Sequence, residues 1–180
     1  MPGGKTTLGL IAACAGLSAC AAVTPEERAA RVSLYCAPIE IALATPLADL
    51  RTAAETGDGQ MQFALAIALD NGLGVRPDTA EAALWRARAV AQRGVRTTSV
   101  YAPGYKHHPG SVIPISTPLY DVSFEQQIAV DRCIAALKLR SGDAPDLKRE
   151  PALCGGPDAF LRLRDAWRKA SVSFLPPSSK

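Results

Sequence analysis

Two histidines, His107 and His108, and five cysteines, Cys14, Cys20, Cys36, Cys133 and Cys154, are the side chains of this sequence best suited to chemistry. Any Ser–His or Cys–His nucleophile pair, and any His-based metal site, has to draw on one adjacent pair of imidazoles. Neighbouring side chains usually point in different directions, and no third ligand stands at metal spacing from them. No two cysteines form a C-x-x-C pair, so a thiolate metal site lacks its usual framework. The sequence therefore predicts a non-catalytic protein that needs no metal or organic cofactor.

Cys20 has a different chemistry. Lys5 precedes Leu8 to Ala19, a run without charge or proline. A short basic region, an apolar core and small residues before the cut are the layout of a secretory signal peptide. The run is shorter than the about 20 apolar residues that span a bilayer. Gly3, Gly4, Gly9 and Gly16 also disfavour a buried helix. Its last residues, Leu17-Ser18-Ala19-Cys20, resemble the lipobox of bacterial lipoproteins. That resemblance implies a diacylglycerol on the Cys20 thiol, cleavage just before it, and acylation of the new amino group. Two or three acyl chains anchor stably, at about 0.8 kcal/mol per buried CH₂. Ala21 stands where that family places Asp for inner-membrane retention, which implies the outer membrane, facing the periplasm. The alternative is cleavage near Ala19 without lipid, which frees a periplasmic protein.

The expected organisation is a signal peptide at 1–19, a lipidated cysteine with a short tether at 20–24, and a helical domain at 25–180. Thr24-Pro25-Glu26-Glu27 reads as a helix start, with Thr24 as N-cap and Glu27 closing a capping box. Four tether residues reach at most about 14 Å, which keeps the domain near the bilayer.

The full chain carries 20 basic and 17 acidic residues, a formal net charge of +3. So small an excess argues against electrostatic nucleic-acid binding. Gly3-Gly4-Lys5-Thr6-Thr7 looks like the end of a phosphate-binding loop, but the first glycine and the preceding strand are missing. With Cys14 removed and Cys20 acylated, Cys36, Cys133 and Cys154 remain. An oxidising compartment then permits at most one bridge. Cys36 shares an apolar helical stripe with Val32, Tyr35, Ile39 and Leu43, and Cys133 shares another with Val130, Ile134 and Leu137. Cys154 lies in the loop before the last helix, so Cys133–Cys154 is the preferred pair. Spacing alone does not settle the connectivity.

Residues 55 to 94 carry the most specific pattern of the domain. Leu65 and Leu69 lie one turn apart, Gly72 suits a helix end, and Asp78 with Glu81 predicts a capping box for a second helix. Ala82 and Ala89 let two helices approach while Trp85 fills the space between them. The pattern resembles a Sel-1-like repeat, a relative of the tetratricopeptide repeats. It matches at Gly57, Asp58, Leu65, Gly72, Gly74, Val75, Asp78, Ala82, Trp85 and Ala89, with Gly94 at the end of the second helix. Met61, Ala66 and Leu69 depart from that family's preferences, and Gly94 falls one position late.

One repeat cannot cover its own apolar face. Covering helices are expected over Pro25–Ala44, interrupted at Pro38, and over Pro46–Thr56, Phe124–Leu139 and Pro157–Val172. The last carries Phe160, Leu163, Trp167 and Ala170 on one face, with Arg164 and Arg168 turned away. Residues 95 to 121 contain prolines and glycines that forbid a helix. They read as one long irregular loop with short extended pieces at Ser99–Tyr101 and Val112–Ile115. Tyr101, Tyr105, Lys106, His107 and His108 make an aromatic-basic cluster in it that suits a partner. The expected fold is all-α, a helical-hairpin repeat in a short superhelix with flanking capping helices. The expected function is a membrane-anchored interaction scaffold or adaptor in the cell envelope, binding a protein or peptide. The alternative is a periplasmic ligand-binding protein or enzyme that works through the 95–121 segment.

Overall fold

Thr24 Oγ1 accepts the Glu27 amide at 3.1 Å while the Glu27 carboxylate accepts the Thr24 amide at 2.9 Å, and this reciprocal box starts helix α1 (Pro25–Ala44). The structure is a computed structural model that describes residues 23–106, 109–139 and 145–172. Cys20, His107 and His108 lie outside the described residues. Helix α1 runs unbroken through Pro38, where an interruption was expected. An interior proline costs about 3 kcal/mol. Burial of Pro38 itself with Cys36, Ile39 and Ala42 against the core offsets it.

Helices α2 (Leu47–Glu55), α3 (Gly59–Asn71) and α4 (Thr79–Ala89) follow. Every residue from Phe63 to Leu69 is buried, so α3 is apolar all round and must be covered on all sides. Helices α1, α2 and α4 cover it. The Asp58 carboxylate accepts the Gln60 and Met61 amides to begin α3, and Gly72, at φ 64°, ends it in the left-handed conformation. Asp78 caps α4 by accepting the Glu81 amide at 2.9 Å. The Glu81 side chain does not close a box there, because it pairs instead with Arg51 of α2.

Strands β1 (Gln92–Ala102) and β2 (Ser111–Tyr120) then form a two-stranded antiparallel ribbon. Helix α5 (Phe124–Leu137), a 3₁₀ turn at Leu153–Gly155 and helix α6 (Pro157–Val172) complete the fold. Phe160, Leu163 and Trp167 of α6 are buried as their spacing predicts, but Arg164 is not turned away: its guanidinium lies 5.4 Å from the Phe160 ring centroid.

The chain is therefore not all-α. Where an irregular loop was expected at 95–121, β-branched residues recur through Val95, Thr97, Thr98 and Val100 and through Val112, Ile113, Ile115 and Thr117. The prolines that exclude a helix are tolerated because each strand of a two-stranded ribbon is an edge strand. Gly94 belongs to β1 and not to the end of α4. Helical content does not by itself make a repeat superhelix either. The α3–α4 hairpin is flanked by α1, which also packs on α5 and α6, so its covering is built from helices that do not repeat it.

Candidate interaction surface

The ribbon is held at its root by side chains from four segments. Arg93, bulged out at the start of β1, donates from Nε to Asp121 Oδ2 at 2.8 Å. It also donates from Nη2 to Gly57 O at 2.8 Å and to Gln62 Oε1 at 3.2 Å. Gln62, buried in α3, returns a hydrogen bond from Nε2 to Ala54 O at 3.1 Å. Gln60 donates to the Asp121 carbonyl at 2.5 Å and pairs its amide reciprocally with that of Gln126 at 2.8 and 3.2 Å. Gln126 also reaches Tyr35 O at 3.3 Å. Gly59 lies so close to the Asp121 side chain that no Cβ fits there. Buried polar groups need partners, and here they have them.

Beyond this root the ribbon stands exposed among the described residues. Val95 to Tyr101 and Ser111 to Tyr120 are exposed along both strands. Residues paired across the ladder share a face. Val100 (49 % exposed) opposes Ile113 (50 %), and Ile115 (46 %) opposes Thr98, so one face carries an apolar group of Val100, Ile113 and Ile115, separated from Leu119 by the Arg96–Thr117 pair. The other face carries Val95, Pro118, Pro114, Tyr101 and Val112.

At the distal end Tyr101 packs over Gly110, where a Cβ would collide with its ring. The Lys106 ammonium stands 5.3 Å from the Tyr105 ring centroid. The proposed aromatic-basic cluster thus falls at the tip of the ribbon for Tyr101, Tyr105 and Lys106.

The other predicted residues serve the scaffold. Gly57, Asp58, Leu65, Gly72, Gly74, Val75, Asp78, Ala82, Trp85 and Ala89 lie in or around the α3–α4 hairpin, with Leu65, Ala82, Trp85 and Ala89 buried. Trp85 Nε1 donates to Glu81 at 3.2 Å, and Glu81 takes both Arg51 nitrogens at 2.5 and 2.7 Å. The hydrogen bond from Arg51 holds the Glu81 carboxyl below its usual range. Cys133 and Cys154 form a disulfide with Cα atoms 5.1 Å apart, which ties α5 to the turn before α6. Cys36 is a buried free thiol pushed up to about 12, first by burial and then by the charge of Glu40.

A groove of about 460 Å³ runs beside the start of α1, lined by Val32, Tyr35, Ile128 and Leu153 with Arg28 and Arg132 among its charged residues. Among the described residues no group of three or more His, Cys, Asp or Glu side chains could hold a metal ion. No helix among them is long and apolar enough to cross a membrane.

No protein-family model matches the chain, and no curated protein or solved structure matches it either.

Sequence reasoning did not find Arg93, Asp121, Gln60, Gln62 and Gln126. Gln62 and Gln126 had a signal, since each is a polar residue set in a buried helical stripe. Arg93 and Asp121 bracket the segment, but a pairing across 28 residues has no local signature.

Proposed function

We propose that this protein is a lipid-anchored, non-catalytic interaction module of the bacterial cell envelope, and that the β1–β2 arm is its contact element. The observation that carries the reading is an arm clamped at its root and exposed along both faces. Contiguous exposed apolar surface rimmed by polar residues marks an interaction site. The network around Arg93 and Asp121 fixes where the arm leaves the helical body, so the surface is presented and not merely uncovered. Anchoring rests on the Leu17-Ser18-Ala19-Cys20 sequence. The Sel-1-like residues of α3 and α4 add a fold-level analogy to partner-binding helical arrays, which supports the class of function and names no partner.

The test places a photo-crosslinking residue at Val100 or Ile115 of the arm, or at Leu34 of α1 as an exposed control, in cells carrying the otherwise native chain. Discrete adducts from the arm positions, absent at Leu34, are expected. Membrane association and a lipid-sized mass increment, both lost in Cys20→Ala, are expected as well. Arm adducts no different from those at Leu34 would overturn the contact reading, and an unlipidated soluble wild type would overturn the anchor.

A further inference from the structure

We infer that the free edge of β1 takes up an extended, acidic segment of a partner protein as a third strand. The inference rests on the arm being the contact element, as proposed above, and adds which edge is used and what chemistry fits it.

The two edges of the ribbon differ. Proline has no N–H, so it keeps a ladder intact only where its nitrogen faces away from the neighbouring strand. Pro114 and Pro118 of β2 pair with Ser99 and Val95. Their spacing of four puts both at the outward-facing parity, so the free edge of β2 lacks two donors and resists strand addition. By the same parity the backbone N–H and C=O groups of Val95, Thr97, Ser99 and Tyr101 point to the free edge of β1. None of these four is proline, and all four are exposed. They give seven residues of open edge, about 23 Å long.

Charge selects the occupant. From Gln92 to Tyr120 the chain has Arg93, Arg96 and Lys106 and no Asp or Glu. Arg93 is engaged with Asp121, which leaves Arg96 as the cation along the open strand. A second copy of the arm would bring only more positive charge to that edge. A bilayer would leave the row of edge N–H and C=O groups without partners in hydrocarbon. An extended segment with an acidic residue across from Arg96 and apolar residues beside Val95 and Tyr101, on the opposite face, satisfies the edge, the charge and the apolar surface together. A two-stranded ribbon is marginally stable in water, and a third strand relieves that.

The test titrates the full chain, solubilised in detergent, with end-blocked fluorescent peptides of alternating Glu and Val, alternating Lys and Val, and Glu/Val N-methylated at every second residue. The Glu/Val peptide is expected to bind at least tenfold more tightly than either of the others and to slow amide exchange at Val95, Thr97, Ser99 and Tyr101. Thr97→Pro, which removes an outward donor, weakens it at least tenfold, while Ser116→Pro on the blocked edge changes it less than twofold. Arg96→Glu leaves the backbone untouched and reverses the preference between Glu/Val and Lys/Val, which guards against a misfolded proline variant. Equal binding of the Glu/Val and Lys/Val peptides overturns the inference. So does protection of the same amides by anionic phosphatidylglycerol vesicles without peptide, or self-association through the arm. Arm crosslinks in cells that persist in Thr97→Pro overturn strand addition and leave the arm as contact element; absence of arm crosslinks in the wild type overturns the arm itself.

Discussion

Arg93 and Asp121 close the base of the β arm: the guanidinium Nε sits 2.8 Å from Asp121 Oδ2, joining residues 28 apart in sequence, one bulged at the start of β1 and one just past the end of β2. Because Arg93 also holds Gly57 O and Gln62, the pair fixes the arm to the α2–α3 turn as well as one strand to the other. Both side chains are part-exposed, which limits their coupling to about 0.5–1 kcal/mol. A double-mutant cycle with Arg93→Ala and Asp121→Ala is expected to show that coupling, together with faster amide exchange in Thr98 and Ile115. Zero coupling with unchanged arm exchange would mean that the root is held by Gln60 and Gln126 alone.

Joining Cys133 to Cys154 removes conformations from the unfolded chain across a separation of 21 residues. Loop-closure entropy for that length corresponds to about 3 kcal/mol. Denaturant unfolding of Cys133→Ser with Cys154→Ser is expected to show a loss of that order. Reductant should produce the same loss in the wild type and none in the double variant.

The Arg51–Glu81 pair joins α2 to α4, and its effect on stability has a definite sign. Glu81 has a depressed folded-state pKa, so the folded chain binds fewer protons there than the unfolded one. The stabilisation is present above the unfolded value near 4.5 and is lost as pH falls through and below it. Both side chains are partly exposed, so its size is about 0.5–1 kcal/mol. Arg51→Met should flatten the acid limb of the stability curve by that amount, followed by the fluorescence of Trp85, whose indole shares Glu81.

Cys36 gives the opposite sign at the other end of the scale. Burial raises its thiol from 9.0 to about 12, so the folded state keeps a proton that the unfolded state releases. Stability from this group is intact below pH 9 and declines as pH rises towards 12. Urea midpoints measured through that window should fall less steeply in Cys36→Ala than in the wild type. At pH 8 the native thiol should also resist alkylation until the protein is unfolded; rapid labelling of the folded chain would show that α1 opens locally.

Sequence alone determined the pieces whose causes are local. Thr24 and Asp78 could be read as caps, because a cap is a hydrogen bond between residues two or three apart. The α3–α4 hairpin was legible for the same reason, since Gly72, Asp78, Ala82 and Trp85 act within one turn or on the next helix. The exclusion of helix from 95–121 followed from proline chemistry. What that segment forms instead did not, because a strand is completed by its neighbour, and the register of Val100 on Ile113 belongs to neither segment alone. The tertiary structure likewise decided that Glu81 turns to Arg51 and not back to Asp78, and that Gln60, Gln62 and Gln126 meet around Asp121 and Arg93. Those partners come from different helices and strands, and only packing of the buried α3 brings them within hydrogen-bonding distance.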